Sequence, residues 1–147
     1  MENFLTQNKI TMVLAPTTGV VGTVSTGTTI LDMSGYEAVT FLTANSTVTS
    51  TGAYMAIYMG CSSGAVAAPV TLSAVYFGSC AANRASYAAT EAYRPTQRFV
   101  TAYLIGASSC CNAGIYGIQH KPKNANVTQS TSGDVTFTAS ASSGSAT

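Results

Sequence analysis

The segment TILDMSGYEAVTFLTAN, residues 29–45, holds two apolar runs on either side of a Ser34-Gly35 turn. After the turn, one set of alternate residues is Val39, Phe41 and Thr43, and the other set begins at Ala38. β-Branched and aromatic residues at a period of two, interrupted by glycine, are typical of strand, turn and strand. This segment therefore predicts a β fold, and most of the chain that follows repeats its pattern.

Further strands are expected wherever the same alternation returns. Between them lie segments rich in Gly, Ser and Thr, and residues 78–92 are expected to form a loop with at most one helical turn. Glycine 117, in the middle of a strand pattern, indicates a bulge or the close approach of another backbone. The predicted strands fall in residues 10–14, 30–33, 38–43, 53–59, 70–77, 97–106, 115–120 and 135–139.

Seven or eight short strands in 147 residues predict one all-β domain, an antiparallel β-sandwich or jelly roll with an extended N-terminal segment. Residues 1–28 are expected to be an N-terminal arm or an edge strand, with a strand pair around Gly22 as one arrangement. The sandwich domain takes residues 29–139. Residues 140–147, which contain only Ser, Ala, Gly and Thr, predict a flexible tail.

Charged side chains are unusually scarce, at 7% of the chain and a net charge of +1. Soluble domains usually carry about 25% charged residues, which keep copies of a protein apart. The scarcity favours a surface that is covered by other copies or by a partner. It argues against nucleic-acid binding, which needs clustered Lys and Arg, and the few basic residues are interpreted as a solvated rim.

The N-terminal residues lack the pattern of a secretory signal, and no run approaches the roughly 20 apolar residues of a membrane span. We therefore expect synthesis in the cytoplasm and no membrane partner. The four cysteines match no zinc-ligand spacing and are expected to be buried and reduced, although a disulfide between the first two is compatible with neighbouring strands. They are Cys61, Cys80, Cys110 and Cys111.

Residues for catalysis were sought among the five acids and the single histidine. Asp32 and Glu37 flank one turn, where Asp32 is expected to accept backbone hydrogen bonds and Glu37 to be solvated. His120 has no acid near it in sequence and is expected to be a strand-end residue. The prediction is therefore no enzyme, with no catalytic, cofactor-binding or metal-binding residues and no cofactor.

Two segments carry a resemblance to a known family: residues 29–41, with the pattern LD-x-x-GY-x-x-V-x-F, and residues 97–104, QRFVTAYL. Together with their surroundings, they resemble the jelly-roll capsid decoration, or cement, proteins of tailed bacteriophages over about half the chain. The resemblance implies a structural virion protein, a homotrimer or dimer that binds the major capsid protein on the outer capsid surface. The alternative is a carbohydrate- or receptor-binding β-sandwich of a head fibre or tail, in weak contact with a host-surface glycan.

Overall fold

The computed structural model describes residues 4–24, 28–45, 54–64, 70–76 and 86–122. The predicted strand at 135–139 and the tail at 140–147 lie outside these residues. A single-turn helix, α1, precedes eight strands. The elements are α1 Phe4–Gln7, β1 Lys9–Leu14, β2 Thr17–Val24, β3 Leu31–Asp32, β4 Tyr36–Asn45, β5 Tyr54–Gly60, β6 Val70–Tyr76, β7 Ser86–Tyr93 and β8 Phe99–Pro122.

The fold is all-β, and every strand pairing is antiparallel, in agreement with the predicted fold class. The strands are hydrogen-bonded in the order β6-β5-β8-β4-β7, with β1, β2 and β3 also paired to β8. Strand β8 is therefore the centre of the sheet. It pairs with five other strands, β1 to β5, each of which covers only part of its length.

The two halves of β8 belong to two facing layers. Its first half pairs with β5 and β3, and its second half pairs with β4 and β1. Gln119, in the second half, donates a 2.8 Å side-chain hydrogen bond to the backbone oxygen of Asp32, which is itself paired with Phe99 in the first half. The chain thus doubles back, and the arrangement is consistent with a β-sandwich.

The core lies between these layers and follows the predicted alternation. Val39, Phe41 and Thr43 are buried, whereas the side chain of Leu42 between them is exposed. The methionines of β5, Met55 and Met59, are buried in this core. The large side chains that are fully enclosed include Phe41, Met55, Ile57, Leu104 and Ile115.

Two local predictions were wrong. Residues 86–93, expected to be a loop, form β7, because their pairing with β4 outweighs the helix propensity of alanine. The segment 107–114 is not a loop between two strands but the middle of β8. For residues 17–24, where a strand pair around Gly22 and a single arm or edge strand were both left open, the structure has one strand.

Residues 9–24 pair with β8 along one side of the sheet, so this part of the N-terminal segment lies in the domain. Gly117 does mark a close approach, although the neighbours are the side chains of Leu31, Val13 and Phe41 and not a backbone. The thiol of Cys61 is free and exposed, contrary to the expectation of a buried cysteine. Cys80 and the side chains of the other two cysteines lie outside what the structure describes.

Candidate functional site: a cleft between two turns

A cleft of about 460 Å³ opens at one end of the sandwich. We call this the cleft end, because both ends of β8 meet there: Phe99 pairs with Asp32, and Pro122 pairs with Tyr36. One wall is the turn that precedes β4, and the other is the loop between β7 and β8. The lining residues are Met33, Ser34, Tyr36, Glu37, Arg94, Pro95, Thr96, Gln97 and Arg98.

The turn is built as the sequence predicts. An oxygen of the Asp32 carboxylate accepts a 2.9 Å hydrogen bond from the backbone N–H of Ser34, and the N–H of Tyr36 donates to the oxygen of Met33. Aspartate suits this place because its short side chain can bond to the backbone two residues on. The turn thereby fixes Asp32 beside the cleft, where its carboxylate meets Arg98.

Arg98 holds the two walls together. Its Nε and Nη2 donate hydrogen bonds of 2.8 and 2.7 Å to the two carboxylate oxygens of Asp32. The backbone oxygen of Arg98 also accepts a hydrogen bond from the N–H of Met33. A guanidinium that meets a carboxylate through two parallel bonds is both oriented and strongly bound. The Arg98 side chain is therefore positioned before any ligand arrives.

This contact controls the ionisation of Asp32. The Arg98 hydrogen bonds hold the pKa of Asp32 well below its ordinary value of 3.8, with a further contribution from Ser34, while partial burial opposes the shift. The same contact raises the pKa of Arg98. Burial raises the pKa of Tyr36, so its phenol stays protonated at neutral pH.

The second ion pair of the cleft is looser. Arg94 Nη2 lies 3.5 Å from Glu37 Oε1, and the Arg94 side chain is 67% exposed. The Arg94 backbone has a φ of 47°, which a non-glycine residue seldom adopts, and its N–H donates a 2.7 Å hydrogen bond to the oxygen of Glu37. The backbone thus fixes the residue, while its guanidinium remains accessible.

Arg94 and Arg98, two of the basic residues that were interpreted as a solvated rim, therefore both line this cleft. They lie four positions apart in the sequence, in the polar loop before β8. Sequence reasoning assigned no site here. The available signal was that Asp32 and Glu37 flank one turn and that two arginines lie at the start of the predicted strand 97–106. Nothing in the sequence alone showed that β8 brings those turns together.

The structure also gives His120 an acidic neighbour that sequence distance concealed. Its Nε2 lies 3.4 Å from Glu91 Oε1 and 3.1 Å from the hydroxyl of Thr40. A nucleophile–base–acid relay needs the hydroxyl on one ring nitrogen and the carboxylate on the other. Because both partners meet the same nitrogen, this cluster does not have the relay geometry.

Among the residues that the structure describes, no group of three or more His, Cys, Asp or Glu side chains is placed to hold a metal ion. No helix in the same ranges is long and apolar enough to cross a membrane. No family model, curated protein or solved structure matches the chain.

The Asp32–Arg98 pair gives a testable pH dependence. Since the pKa of Asp32 is lower in the folded protein than in the unfolded chain, its contribution to stability is complete above about pH 4 and is lost as the pH falls further. We expect the contribution at neutral pH to be modest, about 1 kcal/mol, because both side chains are well exposed.

Urea unfolding of the wild type and of Asp32→Asn, at neutral and acidic pH, measures this contribution. The variant should lose stability at neutral pH and show a smaller further loss on acidification. Arg98→Gln should behave in the same way, because it removes the other partner. Equal acid sensitivity in all three proteins would contradict the assignment.

Proposed function

We propose that this protein is a structural component of a virus particle that attaches to the outer surface of the shell made by the major capsid protein. The observation that carries the proposal is the distribution of charge along the sandwich. Seven charged residues fall within the described ranges, and all of them lie near the cleft end. They are Lys9, Asp32, Glu37, Glu91, Arg94, Arg98 and Lys121.

The strand segments that the structure describes at the opposite end carry no charged residue. There, β2 pairs with residues 104–112 of β8. Among the described strands, β2 is the one that pairs with positions 107–111 of β8. We call this two-stranded segment the ribbon. Residues 10–31 and 99–119, which include both of its strands, contain no Asp, Glu, Lys or Arg.

An isolated two-stranded ribbon is marginally stable in water and gains stability when other surfaces cover it. Its uncharged composition lowers the cost of that covering, because no ionised side chain has to leave water. These two properties support attachment through the ribbon. They also suit a closed oligomer, and the trimer implied by the family resemblance is the oligomer that we propose.

In this arrangement the ribbon meets the shell or the neighbouring subunits, and the charged cleft end faces solvent. Association of this kind depends on shape and apolar area rather than on long-range charge. Binding to shells should therefore persist at high salt. Particles stripped of the protein should rebind the purified chain at saturable, symmetry-related positions, whereas absence of the chain from purified particles would contradict the proposal.

Charge placed in the ribbon should prevent association. Ser108 and Ser109 are adjacent residues of β8 and pair with Val21 and Val20 of β2. Ser108→Lys and Ser109→Lys, made separately, therefore place a charge at two successive positions of the ribbon. We expect at least one of them to convert the oligomer into a monomer and to abolish binding to shells.

The matched control is Ser63→Lys, which adds the same charge in an exposed loop after β5, at the cleft end. This variant should keep the wild-type mass by light scattering. Circular dichroism and thermal unfolding of all three variants establish that the fold is retained. If the wild type itself stays a monomer at high concentration, or if both ribbon variants assemble normally, assembly through the ribbon is wrong.

A further inference from the structure

The charged residues of the cleft, taken together with the Asp32 partner of Arg98, have no net charge. Arg94 and Arg98 contribute two positive charges to the lining, Glu37 contributes one negative charge, and Asp32, which lies outside the lining, balances Arg98 through their ion pair. A site selects a charged ligand through an excess of the opposite sign. The balance here gives no such excess and instead favours a ligand without net charge.

The lining offers hydrogen-bond donors and acceptors side by side. Arg98 carries five N–H donors, of which Asp32 engages those on Nε and one on Nη2, so others remain for a ligand. Arg94 and Glu37 meet at a single 3.5 Å contact, which leaves most of their bonding capacity unused. Gln97 adds an amide, and the hydroxyl of Thr96, which donates a 3.5 Å hydrogen bond to Met59 Sδ, adds an acceptor.

Apolar surface lies between these polar groups. Met33 is buried at the floor, Pro95 stands on one wall, and the half-buried ring of Tyr36 lines the other. Next to the cleft, the ring of Tyr93 is 51% exposed. Lys121 Nζ lies 4.6 Å from the centre of this ring, and the guanidinium carbon of Arg94 lies 5.2 Å from it.

Hydroxyl groups that both donate and accept, on a ring with apolar C–H faces, match this lining. We propose that the cleft binds one neutral sugar unit of an oligosaccharide. Its volume of about 460 Å³ lies within the range of about 300–1,000 Å³ that is usual for small-molecule sites. The proposal is independent of attachment through the ribbon, because the two surfaces are at opposite ends of the sandwich.

The backbone supports a binding role. Arg94 is held at positive φ by its hydrogen bond to Glu37, and sparsely populated backbone conformations of non-glycine residues cluster at ligand sites. The Asp32–Arg98 contacts likewise fix the second guanidinium. Preorganised donors of this kind lower the entropy lost when a ligand binds.

The test is a titration of the full chain with glucose, galactose, mannose, N-acetylglucosamine and their disaccharides, followed by the backbone amide resonances in NMR spectra. At least one neutral sugar should shift the amides of Ser34, Tyr36, Thr96 and Gln97 in a saturable way. Glucuronic acid serves as the charged comparison. The affinity for the neutral sugar should change less than about twofold between low and high salt, because no net charge is neutralised.

Glu37→Gln and Gln97→Ala should each weaken sugar binding about tenfold, the loss expected when a ligand hydroxyl loses a good partner. Ser63→Ala, outside the cleft, should bind as the wild type does, and unchanged spectra elsewhere report an intact fold. The proposal is overturned if none of the neutral sugars shifts the cleft amides. It is also overturned if binding is confined to glucuronic acid and lost in salt, or if both cleft variants bind normally.

Discussion

Gly114→Ala is expected to lower the free energy of unfolding by about 3 kcal/mol or more, the combined cost of backbone strain and overpacking. A Cβ atom added at Gly114 would lie 2.5 Å from the backbone oxygen of Leu14 and 3.2 Å from the nitrogen of Pro16. The φ of this glycine is 92°, a conformation that side chains disfavour. Since the nearest atoms belong to the backbone, rotation of a side chain does not relieve the clash.

Gly35→Ala is the matched control. A Cβ atom added there meets nothing within 4 Å, so the same chemical change should alter stability by less than about 1 kcal/mol. Urea unfolding of the two variants beside the wild type measures the difference. Similar stability of both variants would mean that β8 does not pass close to the end of β1 as described.

Phe41→Ala should destabilise the domain by about 3–5 kcal/mol, the usual cost of removing a buried aromatic ring. Phe41 is 0% exposed and belongs to the core cluster, and its ring lies against Gly117, the residue paired with it on the neighbouring strand β8. Removal of the ring would leave a cavity in that cluster. The surrounding strands are tied to β8 and have little freedom to close the gap.

Leu42→Ala tests the same strand one residue further on. Leu42 points away from the core and is 37% exposed, so its truncation should cost about 1 kcal/mol or less. Thermal or chemical unfolding of the two variants therefore tests whether the side chains of β4 alternate between the core and the solvent. If Leu42→Ala cost as much as Phe41→Ala, the assignment of the inner face would be wrong.

These effects follow from a pattern that is visible in the sequence. Period-two alternation around Phe41 predicted which side chains of β4 enter the core, because a strand can bury only one set of alternate residues on a given face. The Asp32 turn was predicted for an equally local reason, the reach of a short carboxylate to a nearby N–H. Such features need no knowledge of distant residues.

The sequence thus determined the all-β class, the inner faces of the strands, the turn at Ser34-Gly35 and the scarcity of charge. The tertiary structure decided that β8 runs unbroken through residues 107–114, that residues 86–93 add a strand beside β4, and that Arg98 meets Asp32 across 66 positions of chain. Those contacts depend on which strands pair. Strand pairing is set by the summed fit of whole strands and not by the residues of any one segment. The cleft, and the grouping of the described charged residues at one end, therefore emerge only when the layers are assembled.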